Sequence, residues 1–355
     1  MSEFRIDQIK SQDATRGPDV AGITTFTGVS GIVMPSGDTA YRGGRGRGVF
    51  GGGYSPGASP FVVVNTIDYV TIATLGKASD FGDSTQARTS AAGASSSTRG
   101  VFGGGKIAPL AMTVVQSTID YIEIQSAGHA FDFGDLNAAL GRPSAASDST
   151  RAVYAGGYDS TKNPNFHVPA ELQYVTIASK GNAATFGTQF FGRYSMCGAA
   201  SPTRALYFGG GFESSPGSIT NLNIIDYVTI QTFGDAKDFG DLTETSRMVA
   251  SCSNSTRGLR GAGVTPTRVN TIDYVTMAST GDAINFGDLS YASNFLFACS
   301  SSTRGLFAGG YTNPASVSTI EKVEIASTAD STDFGDLTVL KSHGTAVSDS
   351  HGGLG

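Results

Sequence analysis

The residues of this chain that could do chemistry are four histidines and a recurring set of acids and bases. The histidines are His129, His167, His343 and His351, and they share no common spacing with the acids. A metal centre or a general base needs partner side chains gathered around it. The scattered positions therefore predict no enzyme activity, no metal site and no cofactor.

A carboxylate and an arginine recur along the chain in step with each other. The carboxylate is found at Asp68, Asp120, Asp226 and Asp273, with Glu321 and Gln173 at the two remaining positions. The arginine is found at Arg47, Arg99, Arg151, Arg204, Arg257 and Arg304. Because a half-buried carboxylate needs strong hydrogen bonds, the two are predicted to form a structural pair between strands or blades. Ligand binding by this pair is the alternative.

A third group of acids surrounds a repeated Phe-Gly motif. The pairs are Asp80 with Asp83, Asp132 with Asp135, Asp238 with Asp241, and Asp333 with Asp336. Solvated turn acids are the first interpretation and cation sites the second. The dense Asp-x-Asp-x-Asp loop of a calcium site is absent, so no calcium requirement is expected.

The elements that carry these residues repeat with a period near 50. Subtracting neighbouring positions of the repeated arginine, and then His351, gives steps of 52, 52, 53, 53, 47 and 47 residues. The phenylalanine of the Phe-Gly motif keeps the same pace, at Phe81, Phe133, Phe186, Phe239, Phe286 and Phe334. Two markers in step at this period are typical of a propeller or a solenoid.

The residue pattern of each repeat shows no helical periodicity and predicts four short strands. A four-stranded sheet with two apolar faces needs neighbouring sheets to cover them, and six sheets around an axis provide that cover. The sequence therefore predicts an all-β, six-bladed β-propeller over residues 45–355. Residues 344–350 match an inner strand and are expected to complete the first blade, whose own segment begins at its second strand.

Composition and charge exclude several functions. The net charge is -6 and the pI is near 5.2, which disfavours nucleic acid as a partner. No apolar run is long enough to cross a membrane. The three cysteines, Cys197, Cys252 and Cys299, are too few for a disulfide framework, and small buried roles are expected.

Residues 1–44 do not belong to the repeat. Pro18 and Pro35 interrupt the segment, and its β-prone pieces are short. It is expected to be an extended arm that attaches to a partner surface. A strand or two packed on the propeller rim is the alternative.

The repeat resembles the kelch repeat. A strand ends in an aromatic residue and glycines, as in Phe50-Gly-Gly-Gly-Tyr54, and it is followed by a strand with Asp-Tyr and one with an aromatic residue. Phe81 and its equivalents stand where kelch repeats have tryptophan. The first 42 residues include Ala14-Thr-Arg-Gly-Pro-Asp19 and Gly31-Ile-Val-Met-Pro-Ser-Gly37, and they resemble the N-termini of tailed-phage structural proteins. The glycine-rich repeats that end in Asp-Phe-Gly-Asp are similar to proteins of cyanobacterial and other marine phages.

The phage resemblance implies a virion structural protein, with tail-fibre or host-surface adhesion as the expected function. The arm would bind other virion proteins, and the rim of long loops would bind a host-surface glycan or protein. The alternatives are a capsid or tail decoration without a receptor, or a propeller enzyme. By residue type and loop position, the expected ligand contacts are Tyr54, Tyr158, Asn163, Asn165 and Phe166.

Overall fold

The computed structural model describes residues 46–55, 62–107, 114–160, 168–215 and 218–354. These residues form six four-stranded antiparallel sheets and two short hairpins, so the predicted all-β, six-bladed propeller is confirmed. The arm predicted over residues 1–44 lies outside the described residues. Within the described part of the chain, no helix has the length and apolar character needed to span a membrane.

The strands of the first three repeats are β1 (Arg47–Gly51), β2 (Tyr54–Ser55), β3 (Val62–Val63), β4 (Thr66–Thr71), β5 (Ser79–Asp83), β6 (Ala92–Ser95), β7 (Arg99–Gly103), β8 (Gln116–Glu123), β9 (Phe131–Leu140), β10 (Ser144–Ser147), β11 (Arg151–Ala155), β12 (Glu171–Thr176) and β13 (Ala184–Thr188).

The strands of the last three repeats are β14 (Cys197–Ala200), β15 (Arg204–Phe208), β16 (Gly211–Ser215), β17 (Ser218–Asn221), β18 (Ile224–Thr229), β19 (Lys237–Asp241), β20 (Ala250–Ser253), β21 (Arg257–Thr265), β22 (Thr267–Thr276), β23 (Ile284–Ser293), β24 (Phe297–Ser300), β25 (Arg304–Ala308), β26 (Val317–Glu324), β27 (Thr332–Lys341) and β28 (Thr345–Ser348). A short 3-10 turn, Gly352–Leu354, follows β28.

Each blade runs outward from the axis in sequence order, except the first. From the inside, blade 1 is β28-β1-β4-β5, and blades 2 to 6 begin with β6, β10, β14, β20 and β24. In blade 1 the C-terminal strand pairs with β1 in the register Val49↔Val347 and Phe50↔Ala346. The strand predicted from residues 344–350 therefore joins the two ends of the ring.

Serines at the ends of the inner strands bind these strands to one another around the axis. The Ser95 hydroxyl donates to the Ser348 carbonyl, and the Ser348 hydroxyl donates to the Ser300 carbonyl. Equivalent bonds come from Ser147, Ser253 and Ser300. Blade 4 has Ala200 at the equivalent position, and because alanine has no hydroxyl it donates no such bond.

The Phe-Gly motif allows neighbouring blades to approach closely. Phe81 is buried and meets Tyr69 edge to face, with ring centroids 6.0 Å apart. The next residue, Gly82, has φ +145°, and a Cβ there would lie 2.4 Å from the Gly128 carbonyl oxygen of blade 2. Glycine is therefore required by both conformation and space.

The repeated arginine connects blades, but its partner differs from the prediction. In the first five blades its guanidinium stacks on the tyrosine of its own blade, as Arg47 does on Tyr69 at 4.6 Å. One nitrogen then donates to a carbonyl of the next blade, as Arg47 does to Ile124. The predicted pair between this arginine and the repeated aspartate is wrong.

The repeated aspartate instead pairs with a different base from the preceding blade. Arg88 contacts Asp120 at 2.5 Å, Arg193 contacts Asp226 at 2.8 Å, and Lys341 contacts Asp68 at 2.8 Å. All six of these residues are buried. Asp273 takes Arg260 of its own blade at 2.9 Å, and Arg260 also lies 3.6 Å from Glu244. The carboxylate is thus structural, as expected, with partners that the repeat pattern did not reveal.

The three cysteines are free and buried in the inner strands, as expected for small buried residues. Cys299 packs against Gly48 of the next blade, and Cys252 packs against Gly305. Burial raises the pKa of all three thiols. They therefore remain protonated at neutral pH.

Candidate ligand site at the channel mouth

One residue of each repeat lies at the end of the central channel where the inner strands begin. These six residues, called the mouth ring below, have left-handed backbone conformations with φ between 55° and 61°, and they are Ser90, Arg142, Ser195, Met248, Phe295 and His343. Their peptide groups are joined around the axis. The Ser90 N–H donates to the His343 carbonyl and the His343 N–H to the Phe295 carbonyl, for example.

The left-handed conformation makes the side chains of the mouth ring unexpected. A residue other than glycine loses roughly 1–2 kcal/mol in this conformation. In the turns after the second strands, five of the six copies use glycine for such a position, as at Gly52, Gly104 and Gly209, and Ala262 is the exception. The mouth ring has a side chain at all six positions, so these side chains are retained against a backbone preference.

Arg142 reaches across the channel. It precedes blade 3, whereas Phe295 precedes blade 6, on the opposite side of the axis. Nevertheless, the Arg142 Cζ atom lies 4.9 Å from the centroid of the Phe295 ring. Phe295 in turn stacks on the His343 imidazole, with ring centroids 3.4 Å apart. The guanidinium is therefore placed near the middle of the mouth.

The mouth is electropositive. A cavity of about 140 Å³ opens here, and a neighbouring cavity of about 590 Å³, called the side groove, shares Met248, Phe295 and His343 with it. Arg142, Arg247 and Arg268 line the two cavities together with His343, and no aspartate or glutamate does. Among the described residues, none of the three arginines forms an ion pair with a carboxylate.

The same like charges lower the pKa of neighbouring groups. Burial and the Arg142 guanidinium lower the pKa of His343 well below its usual value, so this imidazole is neutral at pH 7. The same two causes lower the pKa of Lys106 to about 8. Introducing an anion would relieve this repulsion.

The side groove adds aromatic and polar surface. Tyr311 is stacked by Arg268, whose Cζ lies 4.9 Å from the ring centroid. Asn294 accepts a hydrogen bond from the Arg268 side chain. Pro266 and Thr267 form an exposed edge of the groove. Such a mixture of a few polar groups with aromatic walls is typical of small-molecule sites.

The five predicted ligand contacts lie in different surroundings, and three of them lie outside the described residues. Tyr54 and Tyr158 were expected to be exposed on the loop rim, and that expectation is wrong, since their side chains are 6% and 0% exposed. Loop residues fold back onto the segments that lead into the inner strands, as the bridges Tyr54↔Ser342 and Gly141↔Tyr158 show. Tyr54 still lines the side groove. Asn163, Asn165 and Phe166 lie outside the described residues.

The described side chains of the mouth can bind a ligand, but they do not place an activated serine beside a base. Ser342 lies 3.1 Å from His343 Nδ1, but Ser342 is buried and takes a hydrogen bond from Ser316. The sequence Gly53-Tyr54-Ser55-Pro56-Gly57 has the Gly-x-Ser-x-Gly spacing of a nucleophile elbow. Ser55 lies in strand β2 of a short hairpin, whereas an elbow joins a strand to a helix.

The acids near the Phe-Gly motif do not gather into a site. The described part of the chain has no group of three or more histidine, cysteine or acidic side chains suited to a metal ion. The Asp241 peptide N–H donates to Asp282 of the next blade, and the Asp288 N–H donates to Asp330. In these described residues the peptide groups after the Phe-Gly motif, rather than its acids, make the contact with the next blade.

The other end of the channel is covered by the chain after β28. His351 donates from Nε2 to the Ser95 carbonyl at 2.8 Å, and its Nδ1 accepts from the Gly353 N–H at 3.1 Å. The Gly352 and Gly353 backbone passes close to the Ala200 and Ser147 carbonyls. Ligand entry along the axis is therefore easier from the mouth.

No protein-family model matches this chain, and no curated protein matches its sequence. Function is therefore inferred from the geometry and charge of the mouth.

Proposed function

We propose that this protein is an adhesion module that binds a host-surface molecule at the channel mouth. The observation that carries the proposal is a pair of adjoining basic cavities, lined together by three arginines and no carboxylate, in a protein of net charge -6. Charge of one sign gathered in a concave surface attracts ligands of the opposite sign.

The mouth belongs to the same face as the loops that were predicted to form the binding rim. Strand β7 ends at Gly103, which pairs with Ala92 at the start of the inner strand β6. The connection from the second to the third strand therefore leaves each blade beside the mouth. This agreement supports a binding face, with the mouth at its centre.

The setting that we propose is the surface of a virion, with a kelch-like propeller attached through its N-terminal arm. The support is the resemblance of the repeats and of residues 1–42 to tailed-phage structural proteins. A decoration protein without a receptor is the second candidate, and it predicts that blocking the mouth changes no binding property.

The experiment compares two bulky substitutions at opposite ends of the propeller. Met248→Trp introduces a large ring where the mouth and the side groove meet. Leu75→Trp is the matched control, because Leu75 is exposed and lies in the turn between β4 and β5, away from the mouth. Labelled proteins are applied to an array of bacterial surface glycans and to a panel of bacterial cells that includes cyanobacteria.

Wild type and Leu75→Trp are expected to bind the same target, and Met248→Trp is expected to lose at least tenfold in affinity. Absence of binding by the wild type to every glycan and cell would contradict the adhesion proposal. Equal binding by Met248→Trp would place the contact surface somewhere other than the mouth.

A further inference from the structure

We infer that the mouth selects an acidic saccharide, with Arg142 binding its carboxylate or sulfate and the side groove receiving its sugar ring. This inference rests on the proposed function and defines the ligand class of the same site.

Comparison of the six repeats shows that the turn before the inner strand does not require an arginine at position 142. The six mouth-ring positions have equivalent backbones, and their side chains are serine, arginine, serine, methionine, phenylalanine and histidine. Five other copies build the same turn with other residues. Since glycine would suit the backbone better, the arginine at this one position is explained by a role of its side chain.

The geometry of Arg142 suits an anion. Stacking on Phe295 fixes the plane of the guanidinium, which leaves its fork available for a bidentate contact. Arg142 has no carboxylate partner among the described residues, so the outer nitrogens of its guanidinium can pair with a carboxylate or sulfate of a ligand.

The side groove suits a sugar ring better than an extended polyanion. Its volume of about 590 Å³ lies within the range of small-molecule pockets. The half-buried Tyr311 provides aromatic surface, and the exposed Thr267 provides a polar group that can meet a sugar hydroxyl. Three arginines line the two cavities of a protein whose net charge is -6. Nucleic-acid binding instead uses a long basic stripe on a protein of positive charge.

The experiment measures the affinity of the full-length protein for three hexasaccharides by isothermal titration calorimetry. Two are acidic, a hexagalacturonate and a heparin hexasaccharide, and the third is the neutral isomaltohexaose. At least one acidic hexasaccharide is expected to bind ten or more times tighter than the neutral one. Arg142→Gln is expected to abolish this difference, and Arg142→Lys to restore only part of it, because lysine lacks the planar fork.

Two controls separate anion binding from charge and from folding. Lys237→Gln removes the same charge from an exposed residue that pairs with Tyr227, far from the mouth, and is expected to leave the affinities unchanged. Arg142→Gly removes the side chain from a left-handed residue, and its melting temperature is expected to be no lower than that of the wild type. A purely structural arginine would give a lower melting temperature.

Two results would overturn the inference. One is an affinity for the acidic hexasaccharides no greater than for the neutral one, and the other is acid selectivity that survives Arg142→Gln. If a neutral glycan binds and Met248→Trp abolishes that binding, the adhesion proposal stands and only the acidic ligand class is wrong. If no surface glycan or cell binds the protein at all, the adhesion proposal fails as well.

Discussion

At the residue scale, the buried pairs between blades show how the repeat tolerates change. At five junctions the third strand has an acid. At the junction between blades 2 and 3, Gln173 stands in place of the acid, and Leu140, the last residue of β9, stands where the last residue of β27 is Lys341. There the Asn137 N–H donates to the Gln173 side chain at 2.7 Å. Cation and anion have therefore been replaced together at this junction, which avoids an unpaired buried charge.

This comparison predicts the outcome of changing the Arg88–Asp120 pair. Arg88→Leu leaves Asp120 buried without its cation and is expected to lower the free energy of unfolding by about 3–5 kcal/mol. The double variant Arg88→Leu/Asp120→Gln copies the neighbouring junction and is expected to recover most of that loss. Urea denaturation of the single and double variants measures both values. A double variant no more stable than Arg88→Leu would contradict this account.

A second prediction at this scale concerns pH. His343 and His351 both have a pKa below 6.5, mainly because burial disfavours the charged imidazole. In the unfolded chain they take up protons as the pH falls through 6.5, whereas in the folded protein they do so only at lower pH. Unfolding is therefore favoured by acid, and the melting temperature is expected to fall between pH 7.5 and pH 5.5.

His351→Gln separates the contribution of the tail. Glutamine can donate to the Ser95 carbonyl as His351 does, but it does not titrate. The melting temperature of this variant is expected to depend less steeply on pH than that of the wild type. Identical slopes would show that His351 is not one of the groups responsible.

The site was harder to predict than the fold because the residue types of the mouth ring differ from repeat to repeat. Subtracting neighbouring ring positions gives steps of 52, 53, 53, 47 and 48 residues, the same as for the Phe-Gly motif. The ring positions share a backbone conformation but no residue type, and sequence comparison detects types. Tyr54 and Tyr158 were misjudged because loop position does not reveal that the loop bases pair back onto the inner segments.

At the scale of elements, the blades were predictable because each depends on local signals repeated six times. The repeated arginine marks the start of the second strand in every blade, and the Phe-Gly motif marks the fourth. The pairing partner of the repeated aspartate was not predictable, because Arg88, Arg193 and Lys341 lie on connections and strand ends where no single residue type recurs. Contacts between blades are set by packing, which the repeat unit alone does not encode.

The closing strand gives a prediction at this scale. Deleting residues 344–355 removes β28, so β1 loses its inner neighbour and presents an unpaired edge. The free energy of unfolding is expected to fall by about 5 kcal/mol or more, since the buried Val347 and several inter-blade hydrogen bonds are lost. The control deletes residues 350–355 only, keeps β28 and is expected to cost much less. Equal melting temperatures for the long deletion and the wild type would contradict the role of β28 as the closing strand.

At the scale of the whole molecule, the six blades and their closure are contained in residues 46–354. Each apolar cluster lies between neighbouring blades, as Val49, Phe81 and Ile122 do between blades 1 and 2. The ring therefore has a continuous core without any contribution from the proposed arm.

Removal of residues 1–44 is accordingly expected to leave a soluble monomer with near-native stability that no longer joins its assembly. A thermal melt and a particle-incorporation assay measure the two properties on the same truncated protein. Aggregation of the truncated chain would mean that the segment belongs to the domain core. Normal assembly would place the attachment surface on the propeller.

The position of β28 also determines when during biosynthesis the protein can become complete. Arg47–Gly51 is among the first segments of the propeller to leave the ribosome, and its partner Thr345–Ser348 is among the last. At about 5–20 residues per second, synthesis of the intervening chain takes roughly 15–60 s. Throughout that interval β1 has an exposed edge, so nascent chains are the species most open to mispairing and to capture by chaperones.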